Sequence, residues 1–166
     1  MLKYRTLDTQ AGPLTVVVTG TGAVRAAGFT ADVADLTDLI HPSLREPLEP
    51  NDDVGPVTDH VRSYFDGDRS ALEAVVVEQH NGGEYMRHAW QVMREIKPGA
   101  PVTYSEFARL SGRPAAIRAA ASACARNAVA PFTPCHRVLR LDGSLGGYRW
   151  GLSVKRFLLD HEAALA

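Results

Sequence analysis

The chain changes character once, at His80-Asn81-Gly82-Gly83, and that change constrains what it can fold into. Before it, short β-branched and apolar runs alternate with glycine and proline turns. After it, apolar residues recur at helical spacing and arginine dominates the charge. Residues 1–80 hold 6 Lys/Arg against 13 Asp/Glu, a balance of −7; residues 81–166 hold 12 against 6, a balance of +6. Two parts of opposite sign and different periodicity predict an α/β chain of the α+β kind. An N-terminal antiparallel-sheet domain with a helix spans 1–80, and a C-terminal helical domain spans 81–166.

The strand signals are Lys3 to Leu7, Leu14 to Val18 and Val24 to Gly28, punctuated by Gly12-Pro13 and Gly20-Thr21-Gly22. They read as an antiparallel meander. Residues 31–53 are acidic and carry Pro42, Pro47 and Pro50, which predicts irregular or partly helical chain. A short helix is expected over 54–65, stopped by Asp66-Gly67, and a further strand over Ala74 to Val77. In the second half Tyr85, Ala89, Val92, Met93 and Ile96 mark a helix ended by Pro98-Gly99. Thr103 or Ser105 caps a second helix through Leu110, and an alanine-rich third runs from Pro114 to Arg126. Two helices joined by Ser111-Gly112-Arg113-Pro114 have the form of a helix-turn-helix, a form shared by many helical hairpins that bind nothing. Val138 to Leu141 reads as a short strand entering a hairpin-type turn at Asp142-Gly143, and a last helix starts near Ser153.

Ten of the twelve basic residues in the second half are Arg, the side chain suited to planar phosphate and base recognition. Together with the basic balance this points to a polyanion partner, against the plainer alternative of a solvated surface. The longest apolar runs are too short to span a bilayer, and Met1-Leu2-Lys3-Tyr4-Arg5 lacks a secretory signal's apolar region. Two cysteines without metal-ligand spacing predict neither a disulfide framework nor a cysteine zinc site, so a reducing, cytoplasmic setting is expected.

The chemistry concentrates in Pro134-Cys135-His136-Arg137-Val138. A thiol next to two potential cations loses its proton more readily, because positive charge favours thiolate. Cys135 is therefore a candidate nucleophile, against the commoner fate of cysteine as a buried packing residue. His136 is its candidate base, coupled through a water since neighbouring side chains point apart, and Glu162 on the last helix is a candidate orienter of the imidazole. In the alanine-rich helix, small side chains around Arg118 would let backbone approach a groove; a packed core helix is the alternative.

This motif, with Tyr104-Ser105 upstream, Asn127, Gly146-Gly147-Tyr148 and His161-Glu162 downstream, resembles the O6-alkylguanine-DNA alkyltransferases, the methylated-DNA–protein-cysteine methyltransferases. The resemblance covers roughly residues 82–163 and matches the first half in outline. It implies direct-reversal DNA repair. Cys135 would accept the alkyl group of an O6-alkylguanine flipped out of duplex DNA, once per molecule, with no metal or cofactor. Cys135, His136, Glu162 and Tyr104 would be catalytic, with Tyr104 assisting departure of the guanine. Arg118, Ala119, Asn127 and Arg137 would form the DNA-binding set, Arg118 filling the stack after the base leaves and Asn127 bracing the turn. The backbone around Val138 and the side chain of Tyr148, with Trp150, would line the base pocket. The implied partner is double-stranded DNA bound through its minor groove by a monomer, with no membrane. Asn127-Ala128 and Arg149-Trp150 depart from residues frequent in the family and leave the pocket's size open. The presence of Cys135 argues against a non-catalytic lesion binder, and no oxyanion hole for a cysteine hydrolase is legible.

Overall fold

The computed structural model describes residues 1–79 and 83–164. The chain is α+β and divides into two compact units, one of residues 1–80 with 128–132, the other of 81–127 with 133–166. The predicted boundary at 80/81 falls outside the described residues. Residues 128–132, expected in the C-terminal domain, pack instead with the first unit: Ala27 N–H donates to Ala128 O at 2.9 Å, and Val129 bridges Ala27.

In the first unit, β1 (Leu2–Thr9), β2 (Gly12–Val18) and β3 (Val24–Gly28) form the expected antiparallel meander. Sheet order is β3-β2-β1-β4, because β4 (Leu48–Pro50) adds in parallel to β1. Strand β4 lies in the stretch that three prolines mark as irregular, and at an edge a proline's missing N–H costs little. The same stretch holds the one-turn α1 (Ala34–Thr37). Consecutive residues Leu14 to Val18 of β2 are all buried. Since alternate side chains point to opposite faces, the central strand is covered on both sides. Helix α2 (Val57–Phe65) buries Val57, Val61, Tyr64 and Phe65 along one face. The strand expected over Ala74–Val77 does not form. Residues Ala71–Ala74 make a 3-10 turn, and the following chain engages β3 at Val24 alone, which donates to Val76 O and accepts from Glu78 N–H.

The second unit is helical around a core of Met86, Ala89, Trp90, Met93, Phe107, Ala120, Ala123 and Val138. Helix α3 (Glu84–Arg94) presents Met86, Ala89, Trp90 and Met93 to it at i, i+3, i+4 and i+7. Helix α4 (Tyr104–Leu110) starts at Thr103, whose Oγ1 accepts from Glu106 N–H, an N-cap of the expected kind. Helix α5 (Ile117–Ala125) follows after a short turn and completes the helix-turn-helix. Its last turn is pinned by Trp90, which donates from Nε1 to Ala123 O at 2.9 Å in the interior. Strands β5 (Val102–Thr103) and β6 (Val138–Leu139) pair in parallel. The chain beyond β6 makes the expected turn at Asp142-Gly143, closed by Gly143 N–H donating to Arg140 O at 2.9 Å and Arg140 N–H to Ser144 O at 3.0 Å, though among the described residues no later strand pairs with β6. Helix α6 (Leu152–Ala164) closes the unit.

Candidate active site

The site is assembled by the β5–β6 pair and by α6. Residues Cys135–Arg137 form a single 3-10 turn immediately before β6. Strand β5 runs straight into α4, whose first residue is Tyr104, so pairing Thr103 with Leu139 carries the phenol toward the cysteine turn. On α6, Lys155, Leu158 and Glu162 are all buried at spacings of three, four and seven. Seven residues are two helical turns, so Lys155 and Glu162 share one face about 10 Å apart along the axis.

Cys135 lies at the floor of a cavity of about 280 Å³ and is 8 % exposed. Tyr104 lines one side, Ala121, Cys124 and Ala125 of α5 another, and Gly147, Tyr148, Arg149 and Trp150 form the rim loop, with Asn127 beside the thiol. Alanines at 121 and 125 leave the room a bulkier helix would fill. The rim loop is anchored by Arg149, whose Nη2 donates to Ala125 O at 2.7 Å. Gly146 turns at φ +72°, and a Cβ there would stand 3.4 Å from Tyr104 Oη. The loop's close approach to the phenol is thus secured by a residue that takes left-handed backbone freely.

Behind the cysteine, three charged or titratable groups form one buried cluster. His136 Nε2 donates to Glu162 Oε2 at 2.8 Å. Arg137 donates from Nε to Glu162 Oε1 at 2.9 Å, from Nη2 to Oε2 at 3.0 Å, and from Nη1 to Ile96 O at 2.7 Å. Burial alone would raise the Glu162 carboxyl, but His136 and Arg137 outweigh it and hold it far below the usual range. It is therefore an acceptor only, and the imidazole must carry its proton on Nε2. Burial lowers the His136 pKa in spite of Glu162, leaving the ring neutral. Its Nδ1, buried with no partner among the described residues, is then a free lone pair.

Several sequence expectations are corrected here. Cations adjacent in sequence do not create a resting thiolate: burial pushes the Cys135 thiol up, opposed by a hydrogen bond from the Asn127 side chain and by the charges of Lys155 and Arg149. His136 is neutral and the Arg137 charge is spent on Glu162. Arg137, expected to bind DNA, is 3 % exposed and cannot reach a phosphate. Asn127, placed in the same set, is also 3 % exposed; its Nδ2 donates to Thr133 O at 2.7 Å, bracing the chain before the cysteine turn. Val138 is fully buried in the core and does not line the cavity, while Tyr148 and Trp150 do. Arg118 is exposed in the first turn of α5 with half-buried Ala119 beside it. Tyr104 is pushed up to about 12 by burial and by the neighbouring thiols, so the phenol keeps its proton at neutral pH. The sequence reading assigned no role to Lys155, which is 1 % exposed with Nζ donating to Val138 O. Its only early signal is the seven-residue spacing to Glu162. Among the described residues no group of three or more His, Cys, Asp or Glu could hold a metal ion, and no helix is long and apolar enough to cross a membrane.

Fold and site together define a two-unit α+β protein whose second unit holds a buried cysteine at a cavity lined by the second helix of a helix-turn-helix. The family described as 6-O-methylguanine DNA methyltransferase, DNA binding domain, matches residues 84–164. A methylated-DNA–protein-cysteine methyltransferase of Mycobacterium bovis is 30% identical over 166 residues, all of this chain and 95% of that protein. The bifunctional transcriptional activator/DNA repair enzyme Ada of Escherichia coli is 50% identical over 82 residues, 49% of this chain; the match spans only 23% of that longer protein. The crystal structure of Mycobacterium tuberculosis OGT in complex with DNA superposes with a TM-score of 0.81 at 28% identity, covering 99% of this chain and 94% of that one. The chain belongs to the methylated-DNA–protein-cysteine methyltransferase family.

Proposed function

We propose that this protein repairs DNA by transferring the alkyl group of O6-alkylguanine to Cys135, once per molecule. The observation that carries the reading is the buried Cys135 thiol facing a cavity, backed by a neutral imidazole whose Nδ1 has no partner among the described residues. The cavity lies near the lower end of the range for ligand pockets, about 300–1,000 Å³, which suits a single base rather than an extended ligand. A base in a duplex hides its O6 substituent, so the damaged nucleotide must be extruded at a cost of a few kcal/mol. Arg118, exposed in the first turn of α5, occupies the space it leaves, and the helix-turn-helix enters the minor groove. The partner is double-stranded DNA bound by a monomer in the cytoplasm.

In the pocket, Tyr104, protonated at neutral pH, donates a hydrogen bond to the base. The Cys135 proton passes through one water to Nδ1 of His136, and the imidazolium that forms is stabilised by Glu162. Arg137 fixes that carboxylate. The sulfur–carbon bond forms as the bond from O6 to the alkyl carbon breaks, the electron pair goes to the guanine, and Tyr104 or solvent supplies its proton. The thioether does not reverse, so turnover ends there.

The test is stoichiometry. Limiting protein is mixed with excess duplex carrying one O6-methylguanine, and the repaired base is quantified by nucleoside chromatography. Repair should stop at one guanine per protein. Repair well beyond that ratio, or none, would overturn the reading.

A further inference from the structure

Arg140 leaves β6 on a fixed backbone with its charge uncommitted. Its N–H donates to Ser144 O at 3.0 Å, and its carbonyl accepts from Gly143 N–H at 2.9 Å. Asp142, the carboxylate of that turn, is engaged: its Oδ1 accepts from Ser144 N–H at 2.9 Å and from Ser144 Oγ at 2.7 Å. The Arg140 side chain is exposed and makes no hydrogen bond or ion pair among the described residues. Several other arginines of this unit are occupied, Arg137 by Glu162, Arg149 by Ala125 O, Arg109 by Glu106 and Arg113 over the Tyr85 ring.

The stem of Arg140 stands beside the phenol that lines the cavity. A Cβ on Gly146 would lie 3.4 Å from Arg140 Cγ and 3.4 Å from Tyr104 Oη, so those two atoms are within twice that distance of each other. Gly146 directly precedes Gly147 and Tyr148 of the cavity rim. The Arg140 charge is felt by the phenol, where it opposes the effect of burial. From Cγ the exposed guanidinium has three further bonds of reach. A guanine held at Tyr104 carries a phosphate on each side of its sugar, and both stay outside a cavity sized for the base.

Building on the function proposed above, we infer that Arg140 is a positioning residue of the transfer site, its guanidinium holding a backbone phosphate next to the extruded nucleotide. The planar fork matches two phosphate oxygens, which fixes orientation as well as distance. The closed turn and the packing at Gly146 set how far that phosphate stands from Tyr104, and so register the alkyl group with Cys135. The two arginines divide the work: Arg118 on α5 fills the vacated stack, and Arg140 holds the nucleotide that left it.

The test pairs a protein substitution with a DNA substitution. Binding to a duplex with one O6-methylguanine is measured by fluorescence anisotropy on Cys135→Ser protein, which holds the lesion without accepting its alkyl group. Arg140 is compared with Arg140→Gln, and the native duplex with duplexes carrying a neutral methylphosphonate immediately 5′ or 3′ of the lesion. Arg140→Gln should bind the native duplex about fivefold more weakly, the upper end for an exposed ion pair, and its salt-dependence slope should fall by about one. Neutralising one of the two phosphates should cost the Arg140 protein a similar factor and cost Arg140→Gln nothing. That coupling to a single phosphate is a readout that a merely structural role would not move, and near-UV circular dichroism checks that the variant is folded. Additive losses at both phosphates, or Arg140→Gln binding as tightly as Arg140, overturn the inference. If the Arg140 protein does not prefer the lesion duplex to an unmodified one, the repair reading falls and takes the inference with it; preference for the lesion without coupling sinks the inference alone.

Discussion

Replacing Glu162 by Gln changes charge at almost constant volume, so packing is preserved and electrostatics alone is tested. Glu162 is fully buried and accepts three hydrogen bonds, one from His136 and two from Arg137. A glutamine offers one carbonyl oxygen, and its amide nitrogen cannot accept. At least one donor of the cluster therefore loses its acceptor, and the buried Arg137 guanidinium loses its counter-charge. Breaking a buried pair from one side costs about 3–5 kcal/mol, a large share of the roughly 5–15 kcal/mol that holds a typical domain. At about 4–8 °C per kcal/mol for a domain of this size, thermal unfolding of the second unit should fall by at least about 12 °C. The assay is unfolding followed by circular dichroism at pH 7, on Glu162→Gln, Arg137→Met and the double variant. If the loss comes from an orphaned charge, the double variant is no less stable than Glu162→Gln, because the cation left unpaired has been removed as well. Strict additivity, or a Glu162→Gln protein within 1 kcal/mol of the unsubstituted chain, would refute the reasoning.

Three further outcomes are expected. Both His136 and Glu162 have folded-state pKa values below their unfolded ones, so each contributes stability that is present above its unfolded pKa and lost as pH falls. Stability should decline from about pH 6.5 as the unfolded chain protonates at His136, with a slope up to about 1.4 kcal/mol per pH unit, steepening below about pH 4.3 where Glu162 joins; chemical denaturation from pH 7.5 to 4 measures it, and His136→Asn should flatten the upper limb. Gly146→Ala forces a side chain into left-handed backbone at φ +72° against Tyr104 and Arg140; it should cost about 1 kcal/mol or more in unfolding free energy and slow alkyl transfer by displacing the phenol. Arg118→Ala removes an exposed side chain and should leave stability within about 0.5 kcal/mol while weakening binding to a lesion duplex; a drop of about one in the salt-dependence slope would assign Arg118 to a phosphate, and an unchanged slope to the base stack.

Local signals carried far in this chain. Glycine and proline turns between β-branched runs marked the meander, the Thr103 cap marked α4, and the Pro134–Val138 motif located the cysteine turn. What stayed hidden depends on partners distant in sequence. Strand β4 is three residues long and is a strand only because β1 offers an open edge. Val75-Val76-Val77 has strand composition, but only Val24 was available to pair with it. The charged residues misled in a consistent way. An arginine in a sequence looks solvated, and nothing local says that Arg137 turns inward to Glu162, 25 positions away. The same blindness made the cysteine look ionised, since burial outweighs adjacent charge and burial is a property of the fold. Lys155 was invisible for the converse reason: its partners are backbone carbonyls, which leave no trace in side-chain pattern.

The central claim is that Cys135 takes the alkyl group itself, and intact-protein mass spectrometry after incubation with a duplex containing one O6-methylguanine tests it most directly. The account predicts a gain of one methylene equivalent, confined to the peptide holding Cys135 and absent in Cys135→Ser. An unchanged mass, or methylation carried on another residue, would contradict it.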